Sequence, residues 1–100
     1  MKQLERIHHY ESLLERVEQA NGIMERALEA FEKVEPLCEE LSEYLNSKEW
    51  KKDFEDDEAG RLPPFLKRGV LAEDGIYNAL DDHRQLMADM LDVVARTFES

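Results

Sequence analysis

Apolar residues in the opening half of the chain recur at helical spacing: Ile7, Leu14, Val17, Met24, Leu28, Phe31, Val34, Cys38, Leu41 and Leu45. Steps of three, four or seven return these side chains to one face of a 3.6-residue helix. The opposite face carries Glu11, Glu15, Glu18, Gly22, Glu25, Glu29, Glu32, Pro36, Glu39 and Glu43. This predicts one long amphipathic helix over about residues 2–46. Pro36 opposes it, because a proline ring clashes with the carbonyl four residues back and biases the preceding residue away from helical angles. Glu32 and Pro36 share the wet stripe, where a carbonyl tilts into water and the helix bends, so a kink is expected and not a break. At about 1.5 Å per residue the helix is about 70 Å long, more than a compact domain of this size needs. An elongated or oligomeric fold follows.

A second helical pattern is expected over about residues 73–98, opening on Glu73-Asp74, acids that suit the positive end of a helix dipole. Ile76, Leu80, Met87, Leu91, Val94 and Phe98 form one apolar row, and Ala79, Leu86, Met90 and Val93 form another beside it. Two rows are wider than the seam of a two-stranded coiled coil, so this helix needs more than one neighbour. A lone hairpin leaves one row exposed. Between the long patterns, Ser47-Lys48-Glu49-Trp50 reads as a helix start, Trp50 and Phe54 stand four apart, and Ala59-Gly60 reads as the stop. Arg61 to Leu71, with Leu62-Pro63-Pro64-Phe65-Leu66, reads as an ordered loop over residues 48–71 together with the short helix, its apolar side chains packed on a surface. No strand periodicity occurs. The expected fold is all-α, a single domain over residues 1–100: a long, antiparallel, coiled-coil-like helical hairpin with a short helix and ordered loop between its arms, paired with a second copy.

Charge adds a constraint. The chain has 100 residues, 24 acidic and 13 basic, for a net charge of −11. That balance argues against direct binding to a phosphate backbone, and no apolar run approaches the roughly 18 residues of a membrane span. The bases concentrate in the middle: Lys48, Lys51, Lys52, Arg61, Lys67 and Arg68. They are expected to neutralise glutamates of the long helix, although Lys67-Arg68 beside Gly69 also offers an anion contact. A single cysteine, Cys38, allows no internal disulfide and fits a reducing cytoplasm, as does an amino terminus without a secretory h-region. With Glu39 and Glu40 adjacent, Cys38 reads as a small buried hydrophobe and not a reactive thiol.

Chemistry-bearing spacings are few. Glu5 and His8 form an ExxH step, with His9 beside it, but a di-metal bundle site needs a second such step and the chain has none. Asp53, Glu55, Asp56, Asp57 and Glu58 fail the calcium-loop spacing, since Glu58 takes the turn glycine's place and Pro64 that of the bidentate glutamate. Lys51 and Lys52, each four residues before an acid, make surface ion pairs the simpler explanation. His83 is expected to be half-buried against a carboxylate. No nucleophile elbow, phosphate loop, dinucleotide fingerprint or zinc helix is present, so no catalytic residue, cofactor or metal is expected. The informative group is aromatic. Trp50, Phe54, Phe65 and Leu66, flanked by Lys67 and Arg68, are expected either to cap the helical pair as a satellite core or to present an interface hot spot held by Pro63-Pro64.

Glu49-Trp50, Asp53-Phe54-Glu55, Asp57-Glu58-Ala59-Gly60, Leu62-Pro63, Leu66-Lys67-Arg68-Gly69-Val70-Leu71, Glu73-Asp74 and Tyr77 form a run that resembles a domain-of-unknown-function family of small acidic helical bacterial proteins. The long first helix fits that family's layout. The resemblance implies an all-α fold and carries no activity, cofactor or catalytic residue. It departs at Ala72 and Gly75, where the family pattern places serine and alanine; a missing cap and a weakened first turn are therefore expected for the last helix. The expected function is a non-enzymatic cytoplasmic interaction module that binds itself and another protein. The alternative is an acidic mimic of nucleic acid that blocks the basic site of a DNA- or RNA-binding protein.

Overall fold

A computed structural model describes residues 1–72 and 74–99. Among these residues all regular structure is helical: α1 (Gln3–Leu45), α2 (Lys48–Glu58), a 3₁₀ turn (Gly69–Leu71) and α3 (Gly75–Glu99). Two long helices are thus joined by a short helix and an ordered loop, as the periodicity predicts. Glu73, expected to open the last helix, lies outside the described residues. Helix α1 passes through Pro36 without interruption. Glu32 and Pro36 are both exposed, so the unbonded carbonyl meets water. The backbone gathers into two compact units, Met1–Pro36 and Leu37–Ser100.

The first unit is helix alone. Its apolar side chains Ile7, Tyr10, Leu14, Val17, Met24 and Leu28 remain between 49% and 63% exposed. Leu13, Phe31 and Val34 are half-buried.

The second unit contains the buried core, Leu71 at 6% exposure and Ile76 at 4%. Ser47 turns the chain from α1 into α2: its Oγ accepts from the Trp50 amide at 3.1 Å and donates to the Tyr44 carbonyl at 2.5 Å. One hydroxyl thereby caps the start of one helix and holds the end of the other. Across the same corner the Tyr44 hydroxyl donates to Asp53 Oδ2 at 2.7 Å. At the far end of α2, Gly60 adopts φ 71°, the left-handed conformation that an L side chain adopts only at a cost, and its amide donates to the Asp57 carbonyl.

Beyond the loop, the 3₁₀ turn touches both α2 and α3 and places Leu71 between them. Gly75 accounts for the closeness of that approach. A Cβ built on it would overlap the Gly69 carbonyl oxygen. The sequence expectation that Gly75 merely weakens the first turn of α3 is therefore incomplete: glycine is what lets the helix start against the backbone of the 3₁₀ turn. Along α3, Ile76, Leu80, His83 and Met87 form the inward stripe, and His83 is half-buried as expected. From Ala88 to Glu99 every residue is exposed. Among the described residues the 3₁₀ turn, and not α1, is the element packed on α3; Leu41 of α1 and Ile76 and Ala79 of α3 line a common groove. More apolar surface stays bare than one row of α3: the ends of both rows, Leu86, Met90 and Val93 with Leu91, Val94 and Phe98, are uncovered.

Candidate functional site

The six candidate interaction residues fall into two groups. Trp50 and Phe54, one turn apart on α2, stack with ring centroids 5.1 Å apart and planes 18° from parallel. The Trp50 indole donates from Nε1 to the Val70 carbonyl at 2.8 Å, which ties α2 to the 3₁₀ turn twenty residues later. Both rings are half-buried. They belong to the packing of the second unit. Phe65 does not. At 88% exposure it stands out from that cluster on a turn closed by the Leu66 amide on the Pro63 carbonyl, with Leu66 41% exposed behind it. Pro63 and Pro64 are the first two residues of that turn and fix its backbone, and the ring points to solvent instead of back onto α2.

Arg68 holds that turn from inside. Its Nε donates to Asp57 Oδ1 at 2.5 Å, Nη1 to the carbonyls of Pro64 at 3.1 Å and Leu66 at 3.0 Å, and Nη2 to that of Pro63 at 2.7 Å. A planar guanidinium offers five donors in a fixed fork, and four contacts here engage one carboxylate and three backbone oxygens. The expectation that Lys67 and Arg68 offer an anion contact is corrected for Arg68, whose donors face the protein's own loop. Lys67 is exposed and lines the open groove of about 450 Å³ beside Val70, Gly75, Ile76 and Ala79.

Lys52 takes the partner its spacing points to, while Arg61 and Arg68 take others than expected. Arg61 Nε meets Asp56 Oδ1 at 2.9 Å, Lys52 Nζ meets Asp56 Oδ2 at 3.5 Å, and Arg68 meets Asp57. These are acids of α2, not glutamates of the long helix. Physical proximity decides it: Gly60 folds the chain back so that Arg61 lies beside Asp56, and the loop returns Arg68 to Asp57. The Arg61 hydrogen bond, aided by the charges of Lys52 and Arg61, holds the Asp56 carboxyl below its ordinary range against a smaller opposing effect of desolvation. Burial, then the hydrogen bond to Asp53 and that group's negative charge, push the Tyr44 hydroxyl up to about 12. The acidic run on α2 is thus accounted for at Asp53, Asp56 and Asp57 by a tyrosine, a lysine and two arginines. Sequence spacing pointed only to the Lys52–Asp56 pair.

Other candidates stay apart. Glu5, His8 and His9 are exposed, and the His9 ring meets Tyr10 edge-on at 5.0 Å. Cys38 is a half-buried free thiol. Among the described residues no group of three or more His, Cys, Asp or Glu side chains is placed to hold a metal ion, and no helix is long and apolar enough to cross a membrane.

No curated protein and no solved structure matches the chain. The Trp50–Phe54 stack, the Gly60 stop, the Arg68 clamp and the glycine start of α3 all lie within residues 7–93, which match a family model over most of the chain's length. The chain belongs to the family described as Domain of unknown function (DUF4298).

Proposed function

We propose that this is a non-enzymatic, cytoplasmic helical interaction module that associates with itself and displays a braced loop to another protein. The observation that carries the reading is the uncovered apolar surface: Leu86, Met90, Leu91, Val93, Val94 and Phe98 on α3 are each 49% exposed or more, Phe98 86%. Contiguous apolar surface on a small soluble chain marks a contact with another protein. Phe65 adds a second feature, an aromatic side chain held outward on a loop that the Arg68 clamp orders beforehand, which reduces the entropy cost of binding. Sedimentation velocity at micromolar protein tests self-association. A dimer or larger species that dissociates when Leu91 and Val94 are both changed to glutamate supports it; a monomer at all concentrations contradicts it.

The acidic-mimic reading is favoured by one specific observation. Lys52, Arg61 and Arg68 of the middle segment pair with Asp56 and Asp57, while Glu11, Glu15, Glu18, Glu25, Glu29 and Glu32 form an exposed stripe on α1. Salt separates the two. Mimicry predicts binding to a basic partner that weakens steeply with ionic strength, whereas an apolar interface predicts a mild dependence.

A further inference from the structure

We propose that residues 7–31 of α1 form the parallel, in-register, two-stranded coiled coil of a homodimer, an inference that rests on the self-association above and adds to its α3 surface a second face, on α1, and a direction. Counting in heptads, Ile7, Leu14 and Leu28 occupy the a positions and Tyr10, Val17, Met24 and Phe31 the d positions. All of them from Ile7 to Leu28 are exposed in the single chain, along an unbroken helix. The seam stops where the first unit ends, because the next two a positions are Glu35 and Ser42. A sustained a/d seam of this kind is covered by an identical helix through knobs-into-holes packing.

One polar residue interrupts the seam, Asn21 at a. In a parallel, in-register pair it meets its own copy and the two amides hydrogen-bond; in a shifted or reversed pair each faces an apolar side chain and is buried without a partner. The flanking charges select the direction. The four e positions are Glu11, Glu18, Glu25 and Glu32, and the preceding g positions are Arg6, Leu13, Ala20 and Ala27. Antiparallel helices place e beside e, so carboxylates would line up against carboxylates along the whole contact. Parallel helices place g beside e: Arg6 of each copy meets Glu11 of the other, and the remaining glutamates face alanine or leucine. Electrostatics therefore reject the antiparallel pair and permit the parallel one.

Disulfide trapping tests this in full-length chain with Cys38→Ala. Val17→Cys and Met24→Cys variants, exposed in the single chain and thus tolerated by its fold, are oxidised with glutathione disulfide separately and as a mixture in which one carries a mass tag. Both self-crosslink under the proposal, and the mixture yields no V17C–M24C disulfide, since the two levels are about 10 Å apart along the axis at 1.5 Å per residue. A mixed disulfide, or self-crosslinking at one site only, overturns the parallel in-register arrangement. A dimer by sedimentation that crosslinks at neither site places the contact elsewhere and leaves self-association standing. A monomer by sedimentation removes both.

Discussion

Replacing Arg68 isolates what orders the loop that carries Phe65. In the native chain its guanidinium satisfies Asp57 and the carbonyls of Pro63, Pro64 and Leu66. The carbonyl contacts are exposed, so water replaces part of each; at the low end of the usual range they contribute about 0.5 kcal/mol apiece. The Asp57 pair is partly buried, with side-chain exposures of 34% and 20%, and adds about 1 kcal/mol. Arg68→Ala is therefore expected to destabilise the second unit by about 2–3 kcal/mol. Arg68→Lys keeps the charge but not the fork, and is expected to lose more than half of that. The assay is urea unfolding followed by circular dichroism at fixed protein concentration, with Asp57→Asn and the double variant completing a cycle whose coupling is about 1 kcal/mol. If Arg68→Lys is as stable as the native chain, the clamp contributes charge alone, and if the cycle shows no coupling, the Asp57 pair contributes nothing; either result refutes the reasoning.

Three further outcomes are expected. Because Tyr44 keeps its proton to about pH 12 in the folded chain, whereas the unfolded side chain loses it near pH 10, stability is full below pH 10 and falls as pH rises from 10 to 12. Tyr44→Phe flattens that decline, and tyrosinate absorbance loses its highest-pH step. Gly75→Ala, although alanine is the better helix former by about 1 kcal/mol, should cost about 2 kcal/mol net, because overlap with the Gly69 carbonyl forces the backbone apart. Chemical denaturation reads the sign, and a stabilised variant contradicts the close approach. Trp50→Phe preserves stacking on Phe54 but removes the bond to the Val70 carbonyl, for about 1 kcal/mol; Trp50→Ala loses both and about 3 kcal/mol, short of a full core cavity because the ring is half-buried.

What was legible in the sequence followed from periodicity and local chemistry. The extents of α1 and α3, the Ser47 cap, the Gly60 stop and the passage of α1 through Pro36 depend on residues within a turn or two of each other. The Lys52–Asp56 pair is readable for the same reason. The rest depends on where a loop without periodicity returns. Arg68 resembles any surface base until Pro63–Leu66 folds around its fork, and Tyr44 gives no hint of Asp53 until the Asn46-Ser47 corner brings α2 back. Phe65 reads equally as core or as interface from the sequence, and its 88% exposure shows that the loop turns it outward, away from Trp50 and Phe54. Gly75 looks like a defect in a helix start because nothing local reveals the Gly69 carbonyl against it.

The central claim is that the apolar faces of α1 and α3 are covered by another copy of the chain. Amide hydrogen exchange measured by mass spectrometry across a dilution series tests it most directly. Protection of residues 7–31 and 86–98 that rises with protein concentration is the predicted result, while that around Leu71 and Ile76 stays constant. Rapid exchange of both helical faces at every concentration would contradict the claim.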